Sequence, residues 1–172
     1  MMCMSTGGDS VVCLTHRLNP LNTHLLCPPP HPTPQILQRM REGEVEHRDT
    51  LARVMAERRV RPTVFEPLVH AAGFALGAVT AVLGKEAAMA CTVAVETVIG
   101  DHYNDQIRTL LASGYGYRET ELAAILKKNR DDELDHLETG LRHGAESAPA
   151  YKALVGAVKA GCSAGIWLAK RY

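Results

Sequence analysis

The sequence predicts an all-α helical bundle, on three observations. Apolar residues recur at helical spacing from Gln35 onward, proline and glycine divide that stretch into five segments, and no segment shows the alternation of a strand. The 172 residues suffice for one domain, and 46% hydrophobic against 22% charged residues is the balance of a chain with a packed core. Nineteen basic and nineteen acidic residues cancel to zero formal charge, which removes the broad positive field that a nucleic-acid partner needs. The short polar connections favour antiparallel neighbours.

Residues 1–34 read differently from the rest. The run Leu26-Cys27-Pro28-Pro29-Pro30-His31-Pro32-Thr33-Pro34 is proline-dense and carries no apolar period, so a disordered leader is expected there, with the folded domain spanning 35–172. Codons for Leu25 to Gln35 are largely pyrimidine and can end in CAG, as the acceptor end of an intron does, so this leader is expected to be translated intron. Glycines and Asp9 follow the opening Met1 to Ser5, and Arg17 is the only basic residue before Arg39. That pattern matches neither a secretory signal nor an Arg-rich transit peptide. Cys3, Cys13, Cys27, Cys91 and Cys162 form no Cys-x-x-Cys pair, and with His16, His24 and His31 they fit no zinc spacing. They are expected to be free thiols.

The first helix runs from Gln35 to the break at Pro62, with Ile36, Met40, Leu51, Val54 and Met55 at helical spacing among charges. Pro67 opens a second, apolar helix that ends near Gly84. His70, Gly73 and Gly77 interrupt it, and it falls short of the ~20 clean apolar residues of a membrane span. Phe65, Leu68, Phe74, Leu76 and Leu83 still suit it to a membrane interface. Lys85 to Ser113 is a third helix, stopped by Gly114 and Gly116. A fourth, Glu119 to Arg142, places Leu122, Ile125, Leu126, Leu134, Leu137 and Leu141 on its apolar side and ends at His143-Gly144. Pro149 opens the last, Ala150 to Tyr172, whose terminal Lys170-Arg171 suits the helix dipole.

Two segments point to metal chemistry. Glu44-Val45-Glu46-His47 and Glu133-Leu134-Asp135-His136 each place a carboxylate and an imidazole three residues apart, so both side chains of a pair reach one region beside their helix. One such motif is weakly specific. Two of them match ferritin-like di-iron bundles, in which two helices each give Glu-x-x-His and two others each give one Glu. Glu96 is a candidate for such a lone Glu, because Met89, Ala90, Val93, Val95 and Val98 surround it and a bare carboxylate there is expensive. Snorkelling or a lysine partner is the plainer alternative for Glu96. Carboxylates and imidazoles without thiolate suit iron or manganese. Tyr103, seven residues after Glu96, and its neighbour His102 are candidates for hydrogen bonding around the metal or for proton delivery, or else a helix-packing pair.

Several stretches carry a resemblance: Arg59-Val60-Arg61-Pro62-Thr63-Val64, Gly84 through Glu96, His102 through Leu110, Asp131 through His136, and Ala148-Pro149-Ala150-Tyr151. Together they closely resemble the mitochondrial 5-demethoxyubiquinone hydroxylase family of coenzyme Q biosynthesis, over about Ile36 to Tyr172. The resemblance implies a ferritin-like fold, peripheral on the matrix face of the mitochondrial inner membrane. It also implies hydroxylation of a polyprenyl demethoxybenzoquinone with O₂, electrons and two iron ions. By position, Glu44 and Glu133 match bridging carboxylates, His47 and His136 match ligands to separate irons, and Glu96 matches the terminal carboxylate on the iron shared with His136. A lipid-binding partner of the coenzyme Q assembly is implied, contacting the helix from Pro67 onward. That helix and the Trp167 helix would form the mouth for an isoprenoid tail.

The family's sixth ligand comes from a preceding helix with an Asp-His-Ala-Gly-Glu-Tyr-like run, and no Glu precedes Glu42 here. The first bundle helix is therefore expected to be missing and one iron site incomplete, opening the centre to water. Two function classes follow: a di-iron monooxygenase, and an impaired chain that keeps a lipid- or partner-binding surface without turnover. Plain iron storage explains neither the apolar mouth nor the resemblance.

Overall fold

The computed structural model describes residues 34–116 and 118–171. The expected leader, and with it the expectation of a missing first helix, fall on residues outside these, save Pro34, which begins the first helix. Five helices follow one another: α1 (Pro34–Glu57), α2 (Glu66–Val82), α3 (Lys85–Ala112), α4 (Thr120–Arg142) and α5 (Tyr151–Ala169), with one 3₁₀ turn at Ala145–Ser147. Among the described residues there is no strand. The architecture is the expected all-α, ferritin-like bundle.

Local chemistry sets the breaks. Helix α1 stops at Glu57, earlier than the expected break at Pro62, because Arg59 adopts φ 56 and Val60 N–H reaches back to Met55 O at 2.9 Å, closing the last turn. Pro67 sits in the first turn of α2, where its missing N–H leaves no gap in the hydrogen bonding. Gly84 at φ 115 and Gly114 at φ 75 bracket α3, backbone conformations that L side chains rarely adopt. Helix α5 begins at Tyr151 because Ala150 is left-handed at φ 51, so Pro149 belongs to the preceding turn and does not open the helix.

Helix α3 is the central element, with α2, α4 and α5 laid against it, while α1 lies on α4. Met89, Ala90 and Val93 of α3 pack with Ala145, Ala148 and Leu137, and Cys91 and Ala94 pack with Val158, Leu76 and Cys162. Small residues on α3 allow close approach. At Gly140 of α4 an added Cβ would stand 2.8 Å from Val93 Cγ2 and 3.2 Å from Met89 O, so only glycine fits that crossing. Helix α1 buries His47 and Val54, and at its far end Arg53 pairs with Glu121 and Arg58 with Glu119.

One expectation is revised by the packing, and another, the exposed apolar surface of α2, stands. The buried stripe of α4 is Leu126, Asn129, Glu133 and Gly140, whereas Leu134 and Leu141 are exposed; the face turned to the bundle is polar because it carries the site described below. Helix α2 buries only Thr80, whose hydroxyl bonds back to Leu76 O at 2.9 Å. Leu68, Val69, Phe74, Val79 and Val82 are left exposed, and no described helix is long and apolar enough to cross a membrane. Cys91 and Cys162 are free thiols.

Candidate metal centre

Three helices aim acidic and imidazole side chains at one point. The i,i+3 spacing puts Glu44 and His47 on one side of α1 and Glu133 and His136 on one side of α4, while α3 contributes Glu96. Glu44, Glu96, Glu133 and His136 each offer a ligand atom, and these four atoms lie within 4.8 Å of one another. His47 stands beside them, its Nδ1 3.2 Å from Glu133 Oε1 and 4.0 Å from Glu44 Oε2. His136 Nδ1 lies 3.1 Å from Glu44 Oε1, in hydrogen-bond geometry, and 3.5 Å from Glu133 Oε2. All five residues expected as ligands thus meet in one place.

Burial and mutual pairing set the electrostatics of the cluster. Burial, reinforced by the Glu133 carboxylate, pushes the Glu96 carboxyl up to about 9, so it holds a proton at neutral pH. Glu133 goes the other way. Burial raises it, but His136 and His47 outweigh burial and hold it at about 2. Glu133, then Glu44, raise His136 to about 10, and Glu133 with Asp132 raises His47 despite its burial. Glu96 is thus held protonated beside an ionised Glu133, with both imidazoles drawn toward the charged form. His47 Nδ1 and Glu133 Oε2 are buried without hydrogen-bond partners although both are in ion-pair range; the contacts are close but out of line. Two orphaned inward atoms, one imidazole nitrogen and one carboxylate oxygen, are what a divalent cation of the iron or manganese type would satisfy. The residues present fit such a metal.

A cleft of about 550 Å³ runs beside the cluster. Its polar end is Glu44, His47, Glu96, Tyr103 and Glu133, and its wall includes Leu51, Cys91, Val95 and Ile99. Tyr103 is buried and its hydroxyl oxygen accepts a hydrogen bond from Asn129 Nδ2 at 3.2 Å, while burial raises its phenol above the ordinary range. His102, one residue away, is not part of this lining. It is half-buried, and burial and then Lys170 lower its pKa.

Three polar residues escaped the motif search. Asn129 lies four residues before Glu133, one turn away on the same face of α4, so spacing alone would have marked it. Asp132 meets His47 Nε2 at 2.9 Å, and Lys128 bonds Asp132 Oδ2 at 2.9 Å and Glu46 Oε1 at 3.2 Å. These cross-helix partners have no sequence signal beyond the Lys128/Asp132 i,i+4 pair.

Comparison with known proteins adds the family. The model of the family described as ubiquinone biosynthesis protein COQ7 matches residues 24–169, starting ahead of the stretch from Ile36 that carries the resemblance. The mitochondrial NADPH-dependent 3-demethoxyubiquinone 3-hydroxylase of Rattus norvegicus is 52% identical over 137 residues, 80% of this chain and 63% of the relative. That of Homo sapiens is 51% identical over 136 residues, 79% of this chain and 62% of the relative. The 3-demethoxyubiquinol 3-hydroxylase of Rhodospirillum rubrum is 46% identical over 136 residues, again 79% and 62%. The chain spans about three-fifths of the length of these curated relatives.

Proposed function

The chain belongs to the ubiquinone biosynthesis protein COQ7 family, and on that premise we propose that it hydroxylates a polyprenyl demethoxybenzoquinone at a di-iron centre. The observation that carries the proposal is the convergence of Glu44, Glu96, Glu133 and His136 within 4.8 Å, with the orphaned Nδ1 of His47 alongside, in a chain about half identical to hydroxylases of that name.

Glu44, His47, Glu96, Glu133 and His136 would hold the iron. When bound, the metal pair supplies the redox chemistry that activates dioxygen. Glu96 and His136, both raised in pKa, would bind the metal deprotonated, so metal uptake would be linked to proton release. Leu51, Val95 and Ile99 give the quinone an apolar wall. Tyr103, whose oxygen already accepts from Asn129, keeps its own proton to donate toward the cleft.

Helix α2 supports a peripheral membrane role at the matrix face of the mitochondrial inner membrane, where its exposed Leu68, Phe74, Val79 and Val82 would lie in the lipid interface or against a lipid-binding partner. The relatives from rat and human are named mitochondrial. An exposed apolar helix together with an open cleft that has apolar and acidic walls suits a substrate with a long isoprenoid tail and a polar head.

The test is iron content per chain after anaerobic loading, paired with hydroxylation of a demethoxybenzoquinone in vesicles, with NADPH and air supplied. Near two irons and hydroxylated product, both lost in Glu133→Ala, is the expected result. A chain that loads iron yet leaves the quinone unchanged would overturn the assignment.

A further inference from the structure

The two imidazoles of the cluster are supported unequally. His47 is the more deeply buried, and its outer nitrogen, Nε2, meets Asp132 Oδ2 at 2.9 Å across the α1–α4 seam. A carboxylate only accepts, so the proton of the neutral ring belongs on Nε2 and the lone pair on Nδ1, the inward atom that lacks a hydrogen-bond partner. Asp132 is itself anchored. Lys128, one turn earlier on α4, donates to the same Oδ2 at 2.9 Å and pairs with Glu46, the neighbour of His47 on α1, at 3.2 Å.

Among the described residues His136 has no such support. Its Nδ1 faces inward, but its Cε1 and Nε2 edge faces Gly43, where an added Cβ would stand 3.5 Å from both atoms. Beyond that edge lies an open polar cleft of about 370 Å³ bordered by Arg39, Glu42 and Asp135, and on its other side by Glu46, Lys128 and Asp132.

We propose that Asp132, held by Lys128, is a positioning residue that fixes the tautomer and orientation of His47, and so makes the His47 side of the centre the tighter of its two metal positions. The inference rests on the metal reading given under the proposed function. A carboxylate behind a ligating imidazole raises its basicity and locks its ring, and loss of such a partner weakens metal binding about 10- to 100-fold. Lys128 is exposed, so its removal weakens binding by no more than about five-fold.

The test is anaerobic titration of the full chain with cobalt(II), following ligand-field absorption against a competing chelator, with circular dichroism to confirm folding. Asp132→Ala is expected to weaken one equivalent of cobalt about 10- to 100-fold and to alter its absorption bands, leaving the other equivalent within about two-fold. Asp132→Asn recovers part of the loss, because the carboxamide oxygen still accepts from Nε2–H. Asp135→Ala, on the same helix and bordering the same cleft, leaves both equivalents unchanged.

Wild-type affinity and bands in Asp132→Ala overturn the proposal, as does an equal loss in Asp135→Ala, which would make the effect one of cleft charge. If Asp132→Ala fails to fold, Asp132→Asn with wild-type binding and bands overturns it equally. Wild-type protein that takes up no cobalt brings down the metal reading itself, a failure visible before any variant is made.

Discussion

The two Glu-x-x-His segments share a spacing and differ in which member is buried. In α1 the histidine is 4% exposed and the glutamate 51%; in α4 the glutamate is 3% exposed and the histidine 12%. Three-residue spacing guarantees only that both side chains stand on one side of a helix. The rotation of the helix about its axis, set by its neighbours, decides which of them faces inward. Helix α4 is pressed onto α3, so Glu133 points into the bundle, whereas α1 meets only the rim of α4 and its motif straddles the boundary with solvent. Both glutamates reach both imidazoles, Glu133 from the buried side and Glu44 from the side open to solvent.

Glu133→Ala is therefore expected to have the largest effect on the metal-free protein. It strands two imidazoles, and loss of one partner from a buried charged group lowers stability by about 3–5 kcal/mol, to be read from urea unfolding with chelator present. A loss no greater than that of Glu44→Ala would erase the distinction between the motifs.

Next in size is a crossing in pH. Glu96, raised from 4.5 to about 9, and His136, raised from 6.5 to about 10, contribute metal-free stability that is complete below 4.5 and 6.5 and is lost as pH climbs toward 9 and 10. Glu133, lowered from 4.5 to about 2, contributes above 4.5 and loses its contribution as pH falls toward 2. Metal-free protein is thus most stable at mildly acid pH and weakens on the alkaline side. Metal affinity moves in the opposite direction, rising with pH as Glu96 and His136 release protons. Urea midpoints and cobalt titrations across the same pH range give both slopes, and a pH-independent affinity would remove the protons from the site.

Smaller effects sharpen the comparison at α1. Gly43→Ala adds a methyl at ordinary contact distance from the His136 ring within a helix, and is expected to raise stability by about 0.5–1 kcal/mol, measured by thermal melting. Glu44→Ala lowers metal-free stability by no more than about 1 kcal/mol, because its partner is a carboxylate–imidazole contact open to water. A loss several times larger would mean that α1 is seated more firmly than its packing indicates.

The helices were legible because proline and glycine mark them: Pro67, Gly84, Gly114 and Gly144 each fall where a helix begins or ends. Arg59 and Ala150 were not, since nothing in an arginine or an alanine announces a left-handed backbone; the surrounding structure imposes it. The meeting of the five acidic and imidazole residues was legible from repeated spacing. Hydropathy failed on α4, where the ranking that favours leucine put Leu134 and Leu141 inside, while the bundle buries Asn129, Glu133 and Gly140. Asp132 stayed hidden for another reason. Its partner is 85 residues away, and that pairing exists only once α1 and α4 have found their register.

Gly140 lies seven residues beyond Glu133, roughly 10 Å along the helix axis, and there α4 touches the backbone carbonyl of Met89 through a contact with no side-chain slack. The gap between α3 and α4 is gauged at that point by hard atoms, much as a feeler blade sets a clearance. Glu96 and Glu133 inherit their separation from it. A single methyl at Gly140, one turn beyond His136, would widen the gauge and detune the cluster without altering one of its residues.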